Sequence, residues 1–165
     1  MNDTSSVTPE ATTAPTATPP VQRPSHIRVK WEGEHLFDTG KANGPTARFD
    51  GTGKTAQTPP DALLSALASC SGVDVVDYLA KRRTPVSALS IDVQADRREQ
   101  HPRKFEKIRL RFEVDGAGID RTHAERAVQL AFERYCSVAS SLAPDIEISA
   151  VMVLNGDDGA TMKIG

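Results

Sequence analysis

From Ala62 to Val76 the chain carries a single charge, Asp74. A helix this apolar, with no polar stripe, does not lie on a surface; it calls for cover on all sides. Its limits can be read from local chemistry. Thr58-Pro59-Pro60-Asp61 supplies a threonine N-cap, prolines that the first turn tolerates, and Asp61 at the third position to complete a capping-box-like pair. Lys81-Arg82-Arg83 complements the negative C-terminal end, and Pro85 stops the helix. A core helix over 62–82 is therefore expected. Residues 1–25 supply little cover for it, with six Thr, five Pro and three Ser and only Val7 and Val21 as branched apolar residues, so they read as a disordered arm. The residues that follow bury roughly two thirds of their surface on folding at this length. Four to six short strands are too few to enclose the helix, so a homodimer is expected, with the second copy completing the cover.

Ile27, Val29 and Trp31 alternate with Arg28, Lys30 and Glu32, the pattern of a strand with one apolar face. Gly33-Glu34 turns the chain into a strand around Leu36-Phe37, and another short strand follows at 47–50. Beyond the helix, Ser90 to Ala95 alternates, and in the segment from Phe105 to Val114 the residues Ile108, Leu110, Phe112 and Val114 oppose Lys107, Arg109, Arg111 and Glu113. One face of that sheet is wet. Asp120 or Thr122 caps a second helix whose apolar stripe is Ala124, Val128, Ala131 and Tyr135. The chain then passes Cys136 into a short helical segment ending at Pro144, and Ile146 and Ile148 open a last strand through Leu154. Residues 155–165 are polar and contain glycine, and read as a loose tail. Strands grouped between helices, each with a polar face, give an α+β domain over 26–154.

Lys and Arg total 20 against 22 Asp and Glu, so there is no basic field for nucleic acid. The absence of a secretory layout or a membrane-spanning run leads to the expectation of a cytoplasmic protein with no membrane partner. In a reducing compartment its two cysteines, Cys70 and Cys136, are free thiols. No metal is expected, because His26, His35, His101 and His123 are scattered and the cysteines form no short clip. Gly51-Thr52-Gly53-Lys54-Thr55 lacks the first glycine of a phosphate-binding loop and reads as a linker. Cys70, within Ala68-Ser69-Cys70-Ser71-Gly72, is either a small buried hydrophobe or, given a cation or aligned N–H groups, a reactive thiolate. Cys136 stands at a helix junction, where a helix N-terminus biases a thiol toward thiolate; otherwise it is a buried turn residue.

Taken in series, Arg28-Val29-Lys30-Trp31-Glu32-Gly33, Pro59-Pro60-Asp61-Ala62-Leu63-Leu64, Cys70-Ser71-Gly72-Val73-Asp74-Val75-Val76, Lys107-Ile108-Arg109-Leu110-Arg111-Phe112 and Tyr135-Cys136-Ser137-Val138-Ala139 resemble the OsmC/Ohr proteins of bacterial peroxide defence, most closely the YhfA-like branch. The resemblance implies an antiparallel sheet packed on a long central helix, in an intertwined homodimer with its site at the subunit interface. It implies a peroxidase in which Cys70 attacks an organic hydroperoxide or hydrogen peroxide and becomes a sulfenic acid, Cys136 resolves it as a disulfide, and an external thiol such as a lipoyl group on a protein restores both. No other cofactor is implied. The sequence also departs from the typical peroxidases. Their helix-opening glutamate falls at Pro60, with Asp61 one residue later, and the hairpin Glu32-Gly33-Glu34-His35 lacks their arginine. The proline that follows their second cysteine is missing too. Asp61 is the candidate third catalytic residue, but nine residues of straight helix put it about 13 to 14 Å along the axis from Cys70, so it acts across the dimer or serves as a cap. Arg48 is the candidate replacement cation. The alternative reading is a non-turnover module that senses redox state or holds a small hydrophobic ligand.

Overall fold

The computed structural model describes residues 24–164, so of the arm expected over 1–25 all but Pro24 and Ser25 lie outside the described residues. Three strands come first: β1 (Arg28–Trp31), β2 (Leu36–Gly40) and β3 (Thr46–Asp50), antiparallel in that order. The long helix α1 (Pro59–Lys81) follows, then β4 (Ala88–Arg97) and β5 (Phe105–Asp115). Next come α2 (Arg121–Leu130), a π-helical turn (Ala131–Tyr135) and α3 (Ser137–Ser140), and the chain closes with β6 (Glu147–Leu154) and β7 (Asp157–Ile164). The second sheet has the order β4-β5-β6-β7. Its hairpins are antiparallel, whereas β5 and β6 run parallel from Lys107↔Glu147 to Val114↔Leu154. That pair is parallel because the connection between them is a helical crossover rather than a turn.

α1 begins where its cap chemistry places it. Thr58 Oγ1 accepts from the Asp61 N–H at 3.3 Å, and the Asp61 carboxylate accepts from the Thr58 hydroxyl at 2.6 Å and from its N–H at 3.3 Å. Leu67, Ser71, Gly72, Val75 and Leu79 form its buried side. At Gly72 the helix comes close to β4, where a Cβ would meet Ile91 Cδ1 at 3.0 Å. The opposite side differs from the expectation of full enclosure, since Leu63, Val73 and Val76 stay exposed within one chain. By length and composition alone α1 would be apolar enough to cross a membrane. Its contacts with β4, α2 and the π-helical turn instead make it the core helix of this domain.

The core joins α1 and α2 to the inner face of the second sheet through Phe112, Leu110, Ile108, Met152 and Val128, each at most 2% exposed. The outer face is charged, with Arg109 paired to Asp96 and Arg111 to Glu113 and Asp158. The loose tail expected over 155–165 is corrected by β7. Asn155 and Gly156 turn the chain with positive φ, after which Met162 and Ile164 pack on the core while β7 pairs with β6. Its polar alternate residues face outward, which is why composition alone resembled a tail.

The Gly51–Thr55 loop also has a definite structure. The Asp50 side chain accepts from the N–H groups of Thr52, Lys54 and Thr55 and from both threonine hydroxyls, at 2.7 to 3.2 Å. A carboxylate of the chain itself thus occupies the N–H groups that a phosphate-binding loop would offer to its ligand. These bonds order the loop that leads from β3 into α1.

Candidate functional site

Cys136 lies at the end of an irregular helix. α2 widens into the π-helical turn, closed by the Cys136 N–H on the Ala131 carbonyl at 2.7 Å, and Cys136 itself is extended at φ −70° and ψ 100°. It caps α3, its Sγ accepting from the Ala139 N–H at 3.4 Å. π-bulges of this kind shift the register of a helix by one residue and often occur at functional sites. Cys136 follows this turn and is 1% exposed.

Cys70 is half-buried on α1, one turn before Asp74. The fold brings the two sulfurs and an Asp74 carboxylate oxygen within 4.8 Å of one another. The cysteines that form no clip in sequence therefore meet in space, and with Asp74 they make a three-donor cluster that sequence spacing did not disclose.

The two thiols are poised in opposite directions. Burial pushes Cys70 up, but donation from the Val138 N–H, the Cys136 thiol and the Ser137 hydroxyl outweighs it and holds Cys70 below the ordinary thiol value, with the Asp74 charge opposing. Cys136 is pushed up to about 11, chiefly by burial, with Cys70 adding to the effect against the N–H groups of Ala139 and Val138. Of the two readings of Cys136, a thiol biased toward thiolate at a helix junction or a buried turn residue, burial favours the second. The donors around α3 stabilise Cys70 across the gap, while burial decides for Cys136.

Asp61 and Arg48 are placed elsewhere. The Asp61 carboxylate is held in the capping box at the start of α1, so within one chain it belongs to the helix end and not to the thiol pair. Arg48 donates twice to Asp38, at 2.7 Å from Nε and from Nη2, which ties its charge to a neighbouring strand. Asp74 is the residue that sequence reasoning left out. Its signal was present: the sole charge in the apolar stretch, four residues after Cys70, falls on the same helix face as that thiol. Burial raises its carboxyl above the ordinary aspartate value, Asp77 adds to the shift and Lys81 opposes it, and Oδ2 is buried with no hydrogen-bond partner.

A two-layer α+β domain with paired thiols between its central helix and a π-bulged helix defines a class of small two-cysteine proteins. Residues 51–150 match the family model described as OsmC-like protein. The chain is 37% identical over 123 residues to Protein YhfA of Escherichia coli, a match covering 74% of this chain and 92% of that protein. It belongs to the OsmC family, in the YhfA-like branch. Among solved structures, a hypothetical protein of Aquifex aeolicus superposes with a TM-score of 0.73 at 26% identity, covering 81% of this chain and 98% of that one. An organic hydroperoxide resistance protein OsmC of Legionella pneumophila shares the fold, with a TM-score of 0.55 at 14% identity over 81% of this chain and 98% of that one.

Proposed function

We propose that this protein is a thiol-dependent peroxidase that reduces organic hydroperoxides or hydrogen peroxide, with Cys70 attacking and Cys136 resolving. The observation that carries the reading is the pair of sulfurs within 4.8 Å, one held acidic and the other held as a thiol. The Cys70 thiolate attacks the outer peroxide oxygen. An S–O bond forms, the O–O bond breaks, and the departing alkoxide takes a proton to become an alcohol. Cys136 then attacks the sulfenic sulfur and expels its oxygen as water, leaving a disulfide that an external thiol, such as a protein-bound lipoyl group, reduces. The name of the Legionella relative agrees with this chemistry. Asp61 anchors the start of the helix that carries Cys70. The working unit in this reading is a cytoplasmic homodimer, supported by the apolar residues Ile27, Val29 and Trp31, which the described residues leave exposed.

A second reading, a redox-sensing or ligand-binding module without turnover, is favoured by Arg48, whose commitment to Asp38 keeps it from acting as a free activating cation. Adding stoichiometric cumene hydroperoxide to the reduced protein separates the two. Mass spectrometry of the peroxidase records prompt loss of two hydrogens, abolished by Cys70→Ser. Survival of both thiols favours the module.

A further inference from the structure

We infer that Asp74 relays the proton of the resolving step, taking it from the Cys136 thiol and passing it to the oxygen that leaves Cys70. The inference rests on the peroxidase reading and concerns its second step. Asp74 follows Cys70 by one helical turn, so both side chains project to the same side of α1, and a carboxylate oxygen lies within 4.8 Å of each sulfur. That separation suits one bridging water, or a direct bond that closes once the sulfenic oxygen is in place.

An unpartnered oxygen is the second observation. Asp74 Oδ2 is shielded from solvent and accepts no hydrogen bond. Buried polar atoms without partners are rare and costly, and sites of proton transfer are among the places where they persist. Ser71, in the neighbouring turn, is the contrasting case, since its hydroxyl is buried and donates to the Leu67 carbonyl at 2.9 Å.

Cys136 attacks as a thiolate, yet with its pKa near 11 it is almost wholly protonated at neutral pH. A base must take that proton at the moment of attack, and the hydroxide leaving Cys70 must gain one. The step balances with Asp74 as carrier. The Cys136 S–H bond breaks toward the carboxylate, the S–S bond forms as the S–O bond breaks, and the carboxylic acid gives its proton to the leaving oxygen as water. Cys136 is oxidised, the Cys70 sulfur is reduced, and Asp74 returns to its starting state. A carboxyl raised by burial is a stronger base than an exposed one, which suits the task. Asp77 and Lys81 act from its own helix, while on the packed α2 and π-helical segment Glu133 pairs with Arg126 and Arg134 lies over the Tyr135 ring.

The test uses the full chain, with cumene hydroperoxide in single turnover. Dimedone trapping counts the Cys70 sulfenic acid and mass spectrometry counts the disulfide. Asp74→Asn should oxidise Cys70 at least as fast as wild type, because a charge opposing the thiolate is gone. It should then accumulate sulfenic acid and form the disulfide about 100-fold more slowly at pH 7. The deficit should shrink between pH 7 and 9.5 as Cys136 ionises unaided, and Asp74→Glu should recover most of the rate. Asp74→Ala gives an independent arm, in which added formate restores resolution. Disulfide formation at the wild-type rate in Asp74→Asn overturns the inference. So does an equal slowing of both steps, a deficit that persists at high pH, or failure of formate to rescue a variant that melts like wild type. If wild type itself keeps both thiols, the peroxidase reading has failed first; if only the variants behave like wild type, the relay alone has failed.

Discussion

The two sheets are built from the same alternation of apolar and charged residues, and they meet opposite fates. In β5, Ile108, Leu110, Phe112 and Val114 are at most 2% exposed, because α1 packs on β4 and α2 on β6 to close the face they share. At β1, Ile27, Val29 and Trp31 are 51 to 63% exposed, although their spacing is equally regular. A period of two specifies which side chains share a face and leaves open what covers that face. In the larger sheet the cover comes from helices of the same chain. In the smaller sheet the described residues leave that face open, and α1 repeats the lesson with its exposed Leu63, Val73 and Val76. The buried core of the described residues therefore lies on one sheet, and the proposed association with a second copy would use the other.

The largest effect is expected where cover is complete. Phe112→Ala removes a ring that is 0% exposed and should cost about 3 to 5 kcal/mol of unfolding free energy. That is a large share of the total for a domain of this size. Denaturant titration should give the same loss at every protein concentration. Trp31→Asp should behave differently, with a melt that becomes independent of concentration and a sedimentation profile shifted to monomer, since it removes the aromatic most suited to anchor a second copy. A weight-average mass equal to that of wild type would erase the distinction between the sheets.

Asp50, at the seam where β3 leads into α1, is next. Its carboxylate is held well below the usual range, first by the Thr52 hydroxyl and N–H, against burial, with Thr55 adding to the effect. For an acid whose folded pKa is depressed, the stabilisation is fully present above the unfolded value of about 4 and fades as pH falls toward the folded one. Asp50→Asn should therefore melt below wild type by a constant margin from pH 5 to 8. That margin should narrow below pH 4, as thermal melts across that range would record. A margin unchanged down to pH 2 would mean that the amide has lost shape rather than charge.

The same contrast explains what could be read from the residues beforehand. The ends of α1, the faces of β5 and the junction at Cys136 are set by local chemistry: Thr58 and Asp61 bond each other, and alternate residues of one strand share a side. β7 could not be read that way, because Asp157, Asp158, Thr161 and Lys163 look like a tail until β6 lies beside them to pair with Met162 and Ile164. Nor could the parallel β5–β6 pair, which depends on where a crossover lands. At the site, the identities of Cys70 and Cys136 stood out, but their proximity is a long-range fact. Asp74 needed both kinds of information: its helical face was local, and its isolation among apolar neighbours was tertiary.

The smallest effect belongs to Arg48, and it is the one that separates stability from function in the exposed sheet. Arg48 joins β3 to β2 through two bonds to Asp38, in a solvent-exposed pair whose attraction is screened and whose side chains must be ordered. Arg48→Ala should leave the thermal midpoint within the scatter of replicate melts. Its chemistry carries more information. The donors that hold Cys70 acidic are the Val138 N–H, the Cys136 thiol and the Ser137 hydroxyl, all from the segment around α3, and Arg48 is not among them. The initial oxidation of Cys70 by peroxide should then change less than about threefold in Arg48→Ala, far below the 10²-fold that loss of an activating charge costs a transition state. Stopped-flow oxidation at pH 7 measures this directly. A hundredfold slowing with an unchanged melt would show that Arg48 leaves Asp38 to serve the thiolate, and would move part of the catalytic machinery from the covered half of the molecule into the uncovered one.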